Sequence, residues 1–402
     1  MVCLGQEQQS DAVVSRTGPE AAQARKDAKM ADKGGPYNIK LGGIEARFSA
    51  GISEEYNDNI GISSTGQQDD FITTPHLGVD ITWPFSQLNT LSLKLGISYQ
   101  KYINHPSQDS STILIQPDSV LDFDFYAGDV HFNLHDQISL QQDPSQVTQL
   151  SNLATFRRLE NTAGIGAEWD LNTIMLEGGY DNSVFHSLEN RFTFLDRMTH
   201  SFHGKAGVKA SANVTTGLLG SYSMTEYDQG VQNNSRAWSS GIFADVIISE
   251  FMRGNATVSY QNSEFDRGGT IADNTNFGSM VYSFTLQHQL NQTINHSIGY
   301  HRYTSLGIGS NFTDTQELNY QISLELMEHL TTGITFYYQW FEDSKSLSSE
   351  NGTRFGIGPQ IGYSLTESTH LTLSYQYSNR DSNLSTGDYQ QNVVRIDLNH
   401  QF

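Results

Sequence analysis

The chain of 402 residues carries 23 Lys and Arg against 44 Asp and Glu, a formal net charge of −21, and holds 35 Gly, 19 Tyr, 21 Phe, 8 Pro and 1 Cys. That balance excludes a nucleic-acid partner, because phosphate binding draws on clustered cations and no such cluster exists; the lone Cys3 excludes an internal disulfide framework and a cysteine-based zinc site. No stretch approaches the roughly 18 consecutive apolar residues that a spanning helix needs, so a membrane could be crossed only by strands.

Residues 1 to 36 are rich in Ala, Gln, Asp, Lys and Gly without periodicity and show neither a charged n-region nor an apolar h-region. They are expected to be a flexible periplasmic leader whose signal peptide is missing or truncated, ahead of a single domain over 37–402. From Ile44 the pattern becomes period two, as a strand shows when one face meets lipid and the other water. Leu91, Leu93, Leu95, Ile97 and Tyr99 alternate with polar residues, and so do Tyr282, Phe284, Leu286 and Leu290. Leu318, Tyr320, Ile322, Leu324 and Leu326 are separated by Asn319, Gln321, Ser323 and Glu325, and Leu330, Thr332, Ile334, Phe336, Tyr338 and Trp340 follow.

The connections alternate between short and long. Short ones fall near Trp83–Leu88, Ala127–Asp129, Asp170–Asn172, Ser211–Val214, Ser249–Met252, Asn291–Thr293, Met327–His329 and Thr366–Thr369. Between them lie long polar pieces such as YNDNIGISSTGQQDD, INHPSQDSS, HSLENRFTFLDR, TSLGIGSNFTD and NRDSNLSTGD. Eight short turns and nine long loops require about eighteen strands. The predicted fold is therefore all-β: a transmembrane antiparallel up-and-down barrel in the bacterial outer membrane, with short periplasmic turns, long extracellular loops and both termini periplasmic. A β-propeller shares the spacing of roughly 40 residues, but its blades pack four short strands into that length, and no blade signature recurs here.

Tyr99, Tyr180, Tyr222, Tyr260, Tyr300, Trp340 and Tyr375 stand where strands lead into long loops and are expected to form an aromatic girdle; Tyr102, Tyr227, Tyr303 and Tyr377 are placed with them. Val394, Ile396, Leu398 and His400 alternate up to the terminal Phe402, a pattern resembling the C-terminal signal read by the barrel-insertion machinery.

The first hairpin reads Glu55, Tyr56, Asn57, Asp58, Asn59, Ile60, then Asp70, Phe71, Ile72, Thr73, Thr74, Pro75. A strand ending in Tyr-Asn-Asp-Asn before an Asp-x-Ile-x-x-Pro strand resembles the beta-barrel porin 2 family. The resemblance implies an outer-membrane barrel associated with exopolysaccharide systems, and brings no catalytic residues.

Inward positions hold charges of both signs: Asp80, Asp122, Asp124, Glu168, Glu177, Asp245 and Glu325 with Arg47, Lys94, Lys205, Lys209, Arg354 and Arg395. These are the pore-lining candidates, read either as a selectivity lining or as a salt-bridged, water-filled interior. His131 and His135 share a face but lie roughly 13 Å apart along one strand, too far to hold one metal without help from other strands. His296 and Ser297 point to opposite faces, which spoils a nucleophile and base pair. Asp58, Asp69, Asp70, Asp266, Asp273, Asp314, Asp343, Asp381 and Asp388 lie in or beside the long loops, as solvated charge or as Ca²⁺ ligands. No catalytic set, cofactor or metal centre is assigned. The expected partners are outer-membrane lipid and lipopolysaccharide, the insertion machinery and polysaccharide. The expected function is a porin-like channel, with a non-conducting structural or adhesive barrel as the alternative and an outer-membrane hydrolase behind both.

Overall fold

A computed structural model of the chain describes residues 37–143, 153–344 and 349–402. The expected leader at 1–36, Cys3 and the central parts of two long loops, 144–152 and 345–348, lie outside the described residues. Helical structure among the described residues is confined to two short 3-10 segments, Pro106–Gln108 and Asn190–Leu195.

In chain order the strands are β1 (Ile39–Leu41), β2 (Ile44–Asn57), β3 (Asp70–Pro84), β4 (Thr90–Ser98), β5 (Lys101–Tyr102), β6 (Leu114–Ile115), β7 (Val120–Ala127), β8 (Val130–Gln141), β9 (Arg158–Asp170), β10 (Ile174–Ser187), β11 (Arg197–Ser211), β12 (Val214–Tyr227), β13 (Ser235–Ser249), β14 (Met252–Phe265), β15 (Phe277–Gln289), β16 (Ile294–Leu306), β17 (Phe312–Met327), β18 (Leu330–Asp343), β19 (Asn351–Thr366), β20 (Thr369–Ser382) and β21 (Tyr389–Gln401). The short β1 folds back on β2 through Gly42, whose φ of 63° suits a residue without a Cβ. The two-residue β5 and β6 belong to the staves of β4 and β7, so eighteen staves remain.

Each stave pairs antiparallel with the next, and β21 returns to β2 with Ser49 opposite Gln401, Ile52 opposite Leu398 and Asn57 opposite Val393. The sheet is thereby a closed eighteen-strand antiparallel barrel in which each stave is paired on both sides. A 14-residue strand at roughly 3.3 Å per residue and tilted by roughly 45° rises about 33 Å, enough to cross an apolar band about 25 Å tall and stand beyond it.

One face of the alternation carries large apolar side chains that stay exposed, among them Leu218 at 65% and its cross-strand neighbour Ile242 at 59%. A soluble sheet would leave so continuous an apolar surface in water, whereas hydrocarbon is its natural surrounding. Four of the tight connections are preceded by a register shift, at Lys209/Ser211, Ile247/Ser249, Glu325/Met327 and Ser364/Thr366. Such bulges let short turns close on twisted strands.

At the other end two predicted loops are reshaped. The piece TSLGIGSNFTD is mostly strand, since Thr304 pairs with Asp314 and Ser305 with Thr313, and only 307–311 connects β16 to β17. Polar composition does not end a ladder that has left the apolar band and still has both partners. The stretch around INHPSQDSS is longer than predicted, running from β5 to β7 with β6 inside it.

Candidate functional site

The polar face of the strands lies opposite the exposed apolar row, and the pairing register places every pore-lining candidate on it. Arg47 stands opposite Asp80, their side chains 3.8 Å apart, and Asp80 stands opposite Lys94, whose ammonium reaches Asp118 at 3.0 Å. Asp122 faces His135 and Asp124 faces Asn133. Glu168 is opposite Glu177, which is opposite Lys205. Lys205 bridges to Asp245 at 3.4 Å and packs over Phe243, while Lys209 bridges to Asp170 at 2.8 Å. Glu325 faces Thr331, and Arg395 faces Glu55, the Nε to Oε2 distance being 3.0 Å.

Arg354 sits directly opposite Arg380, an adjacency of like charges that the surroundings offset. Arg354 lies over Tyr337 at 5.3 Å; Arg380 lies over Phe341 at 4.6 Å and bridges to Glu350 at 2.8 Å with its own side chain only 3% exposed. Arg380 was missed because NRDSNLSTGD reads as loop, yet its even phase with Ser378 and Gln376 was the available signal. Arg158 and Glu160 were also missed. They form a buried pair at 2.7 Å, and the guanidinium additionally donates to Gln141 at 2.9 Å and to the Asp143 carbonyl at 2.7 Å.

The long-loop end is drawn together. The Leu153 N–H donates to the Gly61 carbonyl at 2.9 Å, so the β8–β9 loop reaches the β2–β3 loop past the one between them. Leu153, Phe156, Phe185 and Leu195 make a buried cluster against which Phe192, Phe194 and Ile308 pack. Ile308 belongs to the β16–β17 loop, so this contact passes over the mouth rather than along the rim. Next to it the buried Asp273 accepts the Asn311 N–H at 2.9 Å, the Thr275 N–H at 2.8 Å and the Ser344 hydroxyl. At the end of β18, three residues beyond Trp340, burial pushes the Asp343 carboxyl up to about 6 against the opposing effect of its hydrogen bond from Thr313.

The girdle candidates Tyr99, Tyr180, Tyr222, Tyr260, Tyr300, Trp340 and Tyr375 all take the apolar phase, with Tyr99 at 38% and Trp340 at 43% exposure. Tyr180, Phe202, Tyr222 and Trp238 are successive cross-strand partners. Tyr102, Tyr227 and Tyr303 correct the expectation: Tyr102 is buried, Tyr227 pairs with Arg197, and the Tyr303 hydroxyl donates to Glu317, all on the polar face. An aromatic near a strand end is ambiguous until its phase is counted. Val394, Ile396 and Leu398 also take the apolar phase, and Phe402 sits edge-on to His400 at 5.0 Å.

Among the described residues no three His, Cys, Asp or Glu side chains converge as metal ligands do. Several loop carboxylates are occupied by protein donors instead: Asp70 takes the N–H groups of Asn104 and His105, Asp58 the side chain of Asn392, and Asp266 that of Asn234. His131 reaches Asp124 at 3.1 Å. His288 and His296 pair across β15 and β16 at 3.0 Å on the apolar face, away from Ser297.

A closed even-stranded ring with an apolar outer band and a charged inner wall defines an outer-membrane β-barrel of porin type. The chain belongs to the family described as "Putative beta-barrel porin 2", whose model matches residues 34–402. It is a porin-like channel of the bacterial outer membrane, in a family of channels and not of enzymes. Solved structures share the fold at low identity. A BenF-like porin from Pseudomonas fluorescens is 9% identical with a TM-score of 0.53, covering 90% of this chain and 100% of its own. Pseudomonas aeruginosa OccK2 (OpdF) in complex with glucuronate is 10% identical with a TM-score of 0.52, covering 92% and 100%. Pseudomonas aeruginosa OccK5 (OpdH) is 12% identical with a TM-score of 0.50, covering 89% and 98%. No curated protein matches the chain.

Proposed function

We propose that this barrel conducts small hydrated cations and neutral or cationic solutes, with its tight turns in the periplasm and its long loops outside the cell. The observation that carries the reading is the charge pattern of the polar face. Six of its cations, Arg47, Lys94, Lys205, Lys209, Arg380 and Arg395, each have a carboxylate within bridging distance. Further carboxylates at Asp122, Asp124, Glu168, Glu177 and Glu325 leave acid in surplus. In a water-filled lumen that surplus concentrates cations and repels anions. Passage of polysaccharide, implied by the family resemblance, would require a sugar chain to thread the drawn-in mouth.

A second reading, a non-conducting structural or adhesive barrel, is favoured by the packing of Ile308 against the buried cluster of Leu153, Phe156, Phe185 and Leu195 over that mouth. Single-channel recording of the refolded protein in a planar bilayer, with and without acidic and neutral oligosaccharides, separates them. Discrete cation-preferring steps support the channel, and block by oligosaccharide adds the carbohydrate path. Stable insertion without steps refutes conduction and leaves the structural reading.

A further inference from the structure

On the lipid-facing side of the wall the outward side chains of β14 shrink toward its tight turn, from Val258 to Ala256 to Gly254. Larger neighbours stand on both flanks, Val246 and Ile248 on β13 and Phe284 and Leu286 on β15. Between them lies a groove of about 460 Å³ that runs on to Ile298 and Tyr300 of β16. A Cβ built on Gly254 would lie 3.7 Å from Ile248 Cδ1 and 3.8 Å from Leu286 Cδ1, so these two side chains wall the groove over a floor of backbone.

The groove opens on the apolar band and is continuous with it, so what fills it comes from the membrane. Its polar end narrows the choice. One rung nearer the tight turns, His288 and His296 are direct cross-strand partners in the same outward phase, with Nδ1 of the first 3.0 Å from Nε2 of the second. His288 stands two residues beyond Leu286 and His296 two residues before Ile298, roughly 7 Å along each strand. Both rings are half-buried. Two neutral imidazoles share one proton in that contact, so between them one N–H and one lone pair remain for a ligand, whichever ring donates. A phosphodiester accepts from an N–H and a primary ammonium donates to a lone pair; an aminophospholipid headgroup carries both.

We propose that the groove seats one acyl chain of an aminophospholipid whose headgroup rests on the His288–His296 pair. Hydrocarbon gains nothing by leaving other hydrocarbon, so close packing on Gly254 and Ala256 holds the chain and the headgroup contacts supply the preference. The histidines favour a lipid over a second copy of the barrel, because an apolar protein surface laid over them would leave the N–H and the lone pair unsatisfied. That the lipid comes from the periplasmic leaflet rests on the orientation proposed above; the site itself does not.

Native mass spectrometry of the refolded barrel in detergent, with phosphatidylethanolamine and phosphatidylcholine added in equal amounts, tests both halves of the site. The choline ammonium has no N–H to donate, so phosphatidylethanolamine should be retained about tenfold better, the worth of roughly one hydrogen bond. That preference should vanish in the His288→Leu, His296→Leu double variant. Gly254→Leu fills the groove and should lower retention of both lipids about tenfold. Equal retention of the two lipids by the unmodified protein overturns the headgroup assignment, and undiminished retention by Gly254→Leu overturns the groove. Paired barrels that Gly254→Leu separates would give the groove to a second copy and overturn the lipid. The headgroup preference is read on the unmodified protein, so it decides whether or not the variants refold. A barrel silent in planar bilayers that still retains phosphatidylethanolamine sinks the channel reading and leaves the lipid site standing.

Discussion

Replacing Asp273 by Ala should loosen the mouth while leaving the barrel standing. The carboxylate is 1% exposed and joins three loops, through Thr275 N–H and Asn311 N–H and through the Ser344 hydroxyl. Alanine deletes the contacts to Thr275 and Ser344 outright; the Asn311 N–H keeps its second acceptor, the Ser344 oxygen at 2.9 Å. Asn233 also keeps its bond to the Asp273 carbonyl, which the substitution does not touch. Two charge-assisted bonds at roughly 1.5–3 kcal/mol apiece amount to at least about 3 kcal/mol. At about 1.4 kcal/mol per factor of ten, local opening should become roughly a hundredfold more frequent. Amide hydrogen exchange on refolded protein in lipid should show this acceleration in segments 266–276 and 307–311, with the strands unchanged. Rates within about threefold of the unmodified protein would refute the assignment of Asp273 as the tie between these loops. Equal acceleration in the strands would refute the separation of mouth from wall.

Ile242→Arg on the apolar face should cost about 2–4 kcal/mol of stability in a bilayer, although the residue is exposed, whereas Gln321→Arg on the polar face, opposite Ser297 and Thr335, should cost little; urea titration in lipid vesicles checks the pair, and equal costs would contradict the facing. Glu350→Gln removes the partner of the buried Arg380 and should destabilise by about 3 kcal/mol, with most of the loss recovered in the Glu350→Gln, Arg380→Met double variant. Asp343 has its carboxyl raised by burial, so it binds a proton more tightly folded than unfolded. Its contribution is therefore fully present below the unfolded carboxylate value and is lost as pH rises through about 6, so exchange in the adjoining β17 end at 312–314 should quicken over that range, and Asp343→Asn should abolish the trend. If the Ile308 contact narrows the mouth, Ile308→Ser should raise unit conductance; an unchanged conductance would place the narrowest point elsewhere.

The period-two alternation and the strict succession of short and long connections were enough to specify a closed antiparallel barrel of eighteen strands, because each strand's two solvents are written into its own side chains. The same phase placed Asp80, Glu177, Lys205 and Arg395 on the polar face without knowledge of their partners. Sequence failed where phase was hidden by loop-like composition. Arg380 lay in a stretch read as loop, and β16 and β17 ran further into polar sequence than expected, since ladder partners and not polarity decide where a strand ends.

What only the tertiary structure decided are the meetings between residues distant along the chain. Asp273 ties to Ser344 and Ile308 packs across the mouth against the cluster around Phe156, contacts set by the curvature of the closed ring and not by any local spacing. Gly164 in the sequence is one glycine among many, but the register sets it opposite His135 and beside Asp181, which turns the absence of a Cβ into a slot where the two side chains meet. Alternation tells each residue which side it faces. Only closure of the sheet tells it whom it meets there.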